Sequence, residues 1–261
     1  MYPILFRIGS LEVTSFGVLV AAGALVGLWL FGRELRARSL PANTLDVAIA
    51  GLFGGIVGAK LLFVAEHLGE EPFLDLLLDR SGLSWFGGFA GGIGLGIVMI
   101  HHRRLPLVAV LAASTPALAV GQMFGRLGCF LVGDDYGRPT SLPWGVAFPE
   151  GLPPITARVH PTQLYEAALL ALIAALLVGW RRHGLPDRLL LARYFLLAGT
   201  VRFAVEFIRV NTRVLLGLTV AQFASLALFL TGLALSFCAT GKSTANPGTA
   251  NRNRHPPLRH S

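Results

Sequence analysis

The chain has 261 residues, of which 54% are hydrophobic and only 14% charged. Soluble domains carry about 25% charged residues, so there is too little polar surface for a water-soluble globule, and Cys129 and Cys238, far apart, form no disulfide framework. The net charge of +8 does not mark a nucleic-acid partner: half of it (Lys242, Arg252, Arg254 and Arg259) lies in an acid-free tail, and most of the rest flanks apolar runs.

Hydropathy predicts an all-α, polytopic membrane fold. Seven segments approach the roughly 20 residues that cross a bilayer: 15–32, 45–65, 83–100, 106–123, 162–179, 189–208 and 216–237. The first lacks a basic leader and is followed by further spans, so it reads as a span and not as a cleaved signal. The third, SWFGGFAGGIGLG, has no strand or lysine context for a nucleotide loop. Its glycines fit close helix packing, or a close backbone approach to a lipid headgroup. The apolar run of the fourth is broken by Ser114-Thr115-Pro116, which suggests close packing or a kink there. The connection 124–161 is punctuated by Gly and Pro yet partly apolar, and reads as a glycine-rich, half-embedded loop at the outer leaflet. Residues 239–261 have no apolar periodicity and are expected to form a basic, disordered cytoplasmic tail behind one membrane domain, 1–238.

Charge selects the topology. Arg33, Arg36 and Arg38 follow span one, and His101, His102, Arg103 and Arg104 follow span three. Arg181, Arg182 and Arg188 follow span five, and the tail follows span seven. These groups alternate onto one side, while the opposite side receives Glu66, Glu70, Glu71, Asp75 and Asp79, with a single Arg80. The positive-inside rule then puts the N-terminus outside and the C-terminus in the cytoplasm.

Ionisable residues at bilayer depth are costly and mark candidate sites. The first cluster is Gly125-Arg126-Leu127-Gly128-Cys129-Phe130 with Asp134-Asp135-Tyr136-Gly137-Arg138 behind it. A guanidinium holds a phosphate through paired donors, and a carboxylate a few residues on could lock Arg126. The alternative is an arginine snorkelling to lipid phosphates. The second is His160-Pro161-Thr162-Gln163-Leu164-Tyr165-Glu166. Thr162 can cap the following helix, Gln163, Tyr165 and Glu166 present polar groups at its end, and His160 is either a base or an interfacial hydrogen-bonding residue. In the third, Arg202 and Glu206 are four apart and share a helical face, with Arg209 adding a second positive charge. Tyr194 reads as an interface anchor. All three clusters fall toward the outer leaflet and suit a negatively charged amphiphile entering from lipid. No cofactor motif or metal-ligand spacing is visible.

Taken together, the VTSFG start, SWFGGFAGG, GRLGCF with DDYGR, HPTQLYE, RFAVEFIR and TVAQ resemble the bacterial prolipoprotein diacylglyceryl transferase family, over roughly residues 4–238. The resemblance implies a multi-pass protein of the bacterial plasma (inner) membrane with seven spans, acting as a monomer without a cofactor. It also implies the reaction: transfer of the diacylglyceryl group of phosphatidylglycerol to the lipobox cysteine of a preprolipoprotein, releasing glycerol phosphate. It places the family's signature arginine and glycine on Arg126 and Gly137. The sixth-span arginine and glutamate fall on Arg202 and Glu206, the HPxQLYE residues on His160, Gln163, Tyr165 and Glu166, and the last-span glutamine on Gln222.

Four positions depart from the family pattern: Phe86 stands where a histidine is usual, Cys129 for asparagine, Asp134 for glutamate and Phe16 for tyrosine. Arg126 and Arg202 are then expected to stabilise the departing phosphate, with Glu206 orienting them. Gly137, Gln163, Tyr165, Glu166, Arg209 and Gln222 are expected around the substrate. Phe86 cannot accept a proton, which leaves Asp134, Glu206 and His160 to take the thiol proton. A phospholipid-dependent transferase with another acceptor, and an anion or lipid transporter or binding protein, stay open as alternatives.

Overall fold

A computed structural model describes residues 2–9, 11–69, 72–78 and 82–240. The chain opens with an antiparallel hairpin, β1 (Ile4–Ile8) and β2 (Leu11–Thr14). Thr14 Oγ1 accepts the Gly17 N–H at 3.1 Å and so caps α1 (Ser15–Arg36). A 3₁₀ turn (Ala42–Leu45) leads into α2 (Asp46–Glu66), followed by the short α3 (Phe73–Leu78), α4 (Trp85–His102) and α5 (Leu107–Val132). A second hairpin, β3 (Val146–Phe148) with β4 (Ile155–Val159), precedes α6 (Thr162–Arg182), α7 (Asp187–Glu206) and α8 (Val220–Thr240).

The architecture is all-α with two small hairpins. Among the described residues, five helices are long and apolar enough to cross a membrane: α1, α2 with its 3₁₀ lead-in, α5, α6 and α8. A sixth, Phe86–His102 within α4, is apolar but shorter. Of the expected span 189–208, all but the last two residues are helical in α7, but Arg193, Arg202 and Glu206 interrupt its apolar character. Large apolar side chains such as Leu25, Trp29, Ile56, Leu61 and Phe237 are exposed, as lipid-facing residues of a multi-pass membrane protein must be.

Glycine sets the closest packing. A Cβ on Gly54 of α2 would lie 2.5 Å from the Gly91 carbonyl and 2.7 Å from Leu95 Cβ of α4. Gly58, Gly87 and Gly91 meet the facing backbone as tightly, so α2 and α4 dock almost backbone to backbone. Gly87, Gly91 and Gly92 of the third segment therefore serve helix packing. The remaining helices pack α1 on α5, α5 on α6, α6 on α7 and α7 on α8.

The structure corrects four expectations. Pro116 does not break the fourth segment, because α5 runs through it. Proline cannot donate to the Ala112 carbonyl four residues back, and the Thr115 hydroxyl donates to that carbonyl instead at 2.8 Å. As α5 continues to Val132, the loop begins at Gly133, whose φ of 81° ends the helix. Tyr194 is no interface anchor: it is 6% exposed and sits in the core with Ile173, Leu177 and Leu190. Thr162 does not cap α6, since its hydroxyl donates to the Asp135 carbonyl at 2.8 Å. The basic tail, apart from two residues that extend α8 to Thr240, lies outside the described residues, as do Glu70, Glu71, Asp79 and Arg80 of the acidic loop.

A second ionic group closes the other end of the bundle. Glu34 of α1 is fully buried, and one of its oxygens meets both Arg38 and Arg181 at 2.8 Å. Arg38 also reaches Asp187 of α7 at 2.8 Å. This clasp ties the ends of α1, α6 and α7 together. Arg181 is fifteen residues along α6 from Glu166, which is about 22 Å at 1.5 Å per residue.

Candidate active site

The end of α5, the start of α6, the end of α7 and the turns beside them converge on one group of charges. Its centre is Glu166, in the second turn of α6 and 3% exposed. One carboxylate oxygen pairs with Arg126 Nε from α5. The other accepts from Arg202 Nη1 of α7 at 3.1 Å and lies 3.6 Å from Arg209 Nη1. Three guanidiniums thus surround one buried carboxylate. Asp135 bridges Arg126, at 2.7 Å, and Arg209.

Glu206 completes the group. Its Oε2 pairs with Arg202 at 2.7 Å, and its Oε1 accepts from Asn211 at 2.6 Å and from the Thr219 hydroxyl at 2.8 Å. Three arginines face Asp135, Glu166 and Glu206, so the charges nearly balance. Removing any one leaves a buried charge uncompensated. The Arg126 and Arg202 side chains keep 23% and 28% of their surface exposed, and so are open to an incoming anion. Arg209 is 5% exposed and held inside.

Backbone contacts fix these groups in place. Gly137 N–H donates to the His160 carbonyl at 2.9 Å, and Arg138 N–H to the Ile208 carbonyl at 2.9 Å. A Cβ on Gly137 would meet Thr162, His160 and the Ile208 carbonyl at 2.8 to 3.0 Å. Only glycine lets the three strands of chain approach this closely. Gln163, 1% exposed, donates through Nε2 to the Asp134 carbonyl. Asp135 itself sits at φ 61°, a left-handed conformation that aspartate tolerates better than most residues.

The two adjacent aspartates differ electrostatically. Burial, with the Asp135 charge beside it, pushes the Asp134 carboxyl above its ordinary range, and a hydrogen bond with Cys129 offsets this only in part. Burial acts on Asp135 as well, but the Arg209 and Arg126 guanidiniums outweigh it and hold that carboxyl below the usual range. Cys129, Asp134 and Asp135 bring a thiol and two carboxylates within 4.8 Å of one another. The charge of Asp135 is already met by two arginines, so the cluster is better matched to cationic side chains than to a metal ion.

The expected residues separate into distinct settings. Arg126, Glu166, Arg202, Glu206 and Arg209 form one connected group, with Asp134 and Gly137 after α5 and Gln163 at the start of α6 packed against it. Arg126 lies within α5 and not behind it. His160 and Tyr165 pair with each other, Tyr165 Oη standing 3.3 Å from His160 Nδ1. Gln222 is 3% exposed, and its Oε1 accepts the Thr219 N–H at 3.0 Å while Thr219 Oγ1 accepts the Gln222 N–H at 3.2 Å. That reciprocal pair is a capping box, which fixes the start of α8 and aims the Thr219 hydroxyl at Glu206. Phe86 lies in the first turn of α4 with its ring more than half exposed. Sequence reasoning missed Asn211, Thr219 and Trp144 as partners of site residues. The Thr219-x-x-Gln222 spacing was the one visible signal.

Fold and site define a polytopic membrane protein that gathers guanidiniums at one end of an apolar helix bundle, a setting for an anionic amphiphile. A family model for prolipoprotein diacylglyceryl transferase matches residues 3–238, and the chain belongs to that family. It is similar to the phosphatidylglycerol–prolipoprotein diacylglyceryl transferase of Clostridium tetani, 30% identical over 240 residues that cover 89% of this chain and 96% of the relative. The enzyme of the same name from Rhodospirillum rubrum is 31% identical over 265 residues, covering 94% and 95%. That of Cereibacter sphaeroides is 35% identical over 239 residues, covering 79% of each.

Proposed function

We propose that this chain transfers the diacylglyceryl group of phosphatidylglycerol to the lipobox cysteine of a preprolipoprotein. One observation carries the reading: three guanidiniums gathered on buried Glu166, at the helix ends where the family's motifs converge. Seven spans, with α4 and α7 included, bring the N-terminus outside and the site to the outer leaflet of the bacterial inner membrane. The basic groups at the opposite helix ends support this orientation.

In the reaction the acceptor thiol loses its proton and the sulfur attacks the glyceryl carbon bearing the phosphate. The C–S bond forms as the C–O bond breaks, and the electron pair leaves on glycerol phosphate. Arg126 and Arg202, partly open, meet the phosphate where its charge grows. Arg209, Glu166, Glu206 and Asp135 hold those two guanidiniums in place. Asp134 takes the thiol proton: its Oδ1 is buried without a hydrogen-bond partner among the described residues, whereas Glu206 is committed to ion pairs with Arg202 and Arg209 and to hydrogen bonds from Asn211 and Thr219. Its raised carboxyl pKa narrows the gap to a thiol. Purified protein given phosphatidylglycerol and a lipobox peptide should yield a thioether-linked lipopeptide by mass. Recovery of unmodified peptide, under conditions where a relative forms that product, overturns the reading.

A further inference from the structure

Trp144 lies between Gly133 and β3 and is assigned no role by the reaction above. Its indole Nε1–H donates to the Tyr165 hydroxyl at 2.7 Å, and the same hydroxyl stands 3.3 Å from His160 Nδ1. These are the hydroxyl's two hydrogen-bond partners among the described residues. An indole N–H can only donate, a phenol carries a single proton, and a neutral imidazole has one donor and one acceptor nitrogen. The Tyr165 oxygen therefore accepts from Trp144, and among the described residues its own proton is satisfied by His160 Nδ1, the reverse direction leaving that proton without a protein acceptor. A neutral histidine accepting at Nδ1 carries its proton on Nε2.

The rings are held so that this order of donors is kept. His160 and Tyr165 stand edge to face, with centroids 6.1 Å apart. The His160 backbone is pinned by Gly137 N–H on its carbonyl and by its own N–H on the Arg138 carbonyl at 3.0 Å. Tyr165 precedes Glu166 on α6, so the Trp144–Tyr165–His160 chain starts one residue from the carboxylate that gathers the arginines, on an adjoining face of the helix.

We infer that Trp144 is a positioning residue. By donating to Tyr165 it commits the phenolic proton to Nδ1 of His160, fixes the Nε2–H tautomer, and makes His160 a hydrogen-bond donor to the anionic lipid instead of a base toward the thiol. The functional part of this inference rests on the proposed transferase reading; the tautomer does not. No covalent step is added, because the thiol proton still goes to Asp134 and the His160 proton stays on Nε2.

The first test needs no activity. In protein labelled with ¹⁵N-histidine, the ring signals of His160, assigned by their loss in His160→Gln, should show a protonated Nε2 and an unprotonated Nδ1 at neutral pH, and Trp144→Phe should weaken that preference. An Nδ1–H tautomer in the unaltered protein, or no change in Trp144→Phe, overturns the inference even if the chain proves to be an active transferase. The second test uses turnover. A glutamine amide can place an N–H near Nε2 but cannot act as a base, so His160→Gln should lose clearly less activity than His160→Ala. His160→Ala should lose about ten- to a hundredfold, the range for a hydrogen bond to a charged group. Trp144→Phe should raise KM for phosphatidylglycerol more than it lowers kcat, and should have no further effect in the His160→Gln background. Equal losses in His160→Gln and His160→Ala, or an equal effect of Trp144→Phe in both backgrounds, refute the donor role. If the unaltered protein forms no product, the transferase reading fails and the tautomer result still stands.

Discussion

Glu166→Gln is the sharpest perturbation of the charge group, because it keeps the shape of the side chain and deletes its charge. One Glu166 oxygen pairs with Arg126, and the other accepts from Arg202 at 3.1 Å and faces Arg209 at 3.6 Å. An amide would turn its NH₂ against one guanidinium, donor against donor, and leave three arginines facing two carboxylates. Removing one partner of a buried ion pair costs about 3–5 kcal/mol. The Arg126 and Arg202 side chains are 23% and 28% exposed, so water recovers part of this, and the lower end, about 3 kcal/mol, applies. Expressed at the transition state, that is roughly a 150-fold fall in kcat/KM, at 1.36 kcal/mol per factor of ten. The assay is thioether formation at limiting phosphatidylglycerol, with the thermal midpoint in detergent followed in parallel. Glu166→Asp keeps the charge but is one methylene too short to meet both sets of guanidiniums, and should fall between the two. Activity of Glu166→Gln within threefold of the unaltered protein refutes the argument that Glu166 orders the arginines.

Three further outcomes follow from other parts of the molecule. Gly54→Ala should destabilise by about 1–3 kcal/mol, since its Cβ meets the Gly91 carbonyl at 2.5 Å, whereas Gly94→Ala, with nothing within 4 Å, should be neutral; thermal midpoints of the two variants check this. Arg38→Ala should destabilise by less than the about 3–5 kcal/mol of a fully stranded buried carboxylate, because Glu34 loses one of two arginine partners and keeps Arg181, seen as a lower midpoint with KM for the lipid unchanged, because the clasp is far from the site. The raised Asp134 carboxyl predicts an acid limb: the protonated form cannot take the thiol proton, so kcat/KM falls as pH drops through a pKa above the ordinary value near 3.9. Asp134→Asn should abolish the reaction, and an acid limb at or below 3.9 contradicts the assignment.

The helices were legible because a bilayer leaves few options for an apolar run of the right length. Residues 15–32, 45–65 and 162–179 fall within helices, and of 216–237 all but the first four do. The boundary at 124 was misread because Gly125 and Gly128 look like punctuation; in α5, a Cβ on Gly128 would strike the Phe16 ring at 2.8 Å, so this glycine serves packing against α1. Pro116 misled for a related reason, since the Thr115 hydroxyl that rescues the freed carbonyl is invisible to a simple breaker rule. At the site, spacing identified the Arg202–Glu206 pair, which is local to one helix. It could not identify Glu166 as the common partner of arginines at 126, 202 and 209, because that convergence depends on how α5, α6 and α7 pack. The same limit hid the clasp: Arg38 and Arg181 read as markers of orientation, and only the fold shows Glu34 buried between them.

The role proposed for Arg126 is to act on the phosphate of an anionic lipid while the other charges hold it in place. The direct measurement compares the unaltered protein with Arg126→Ala, giving both phosphatidylglycerol and a lipobox peptide and quantifying thioether-linked lipopeptide by mass, with folding verified by thermal midpoint. Lipopeptide is expected from the unaltered protein, with a loss of at least about a hundredfold in a folded Arg126→Ala variant. Undiminished product from that variant would contradict it.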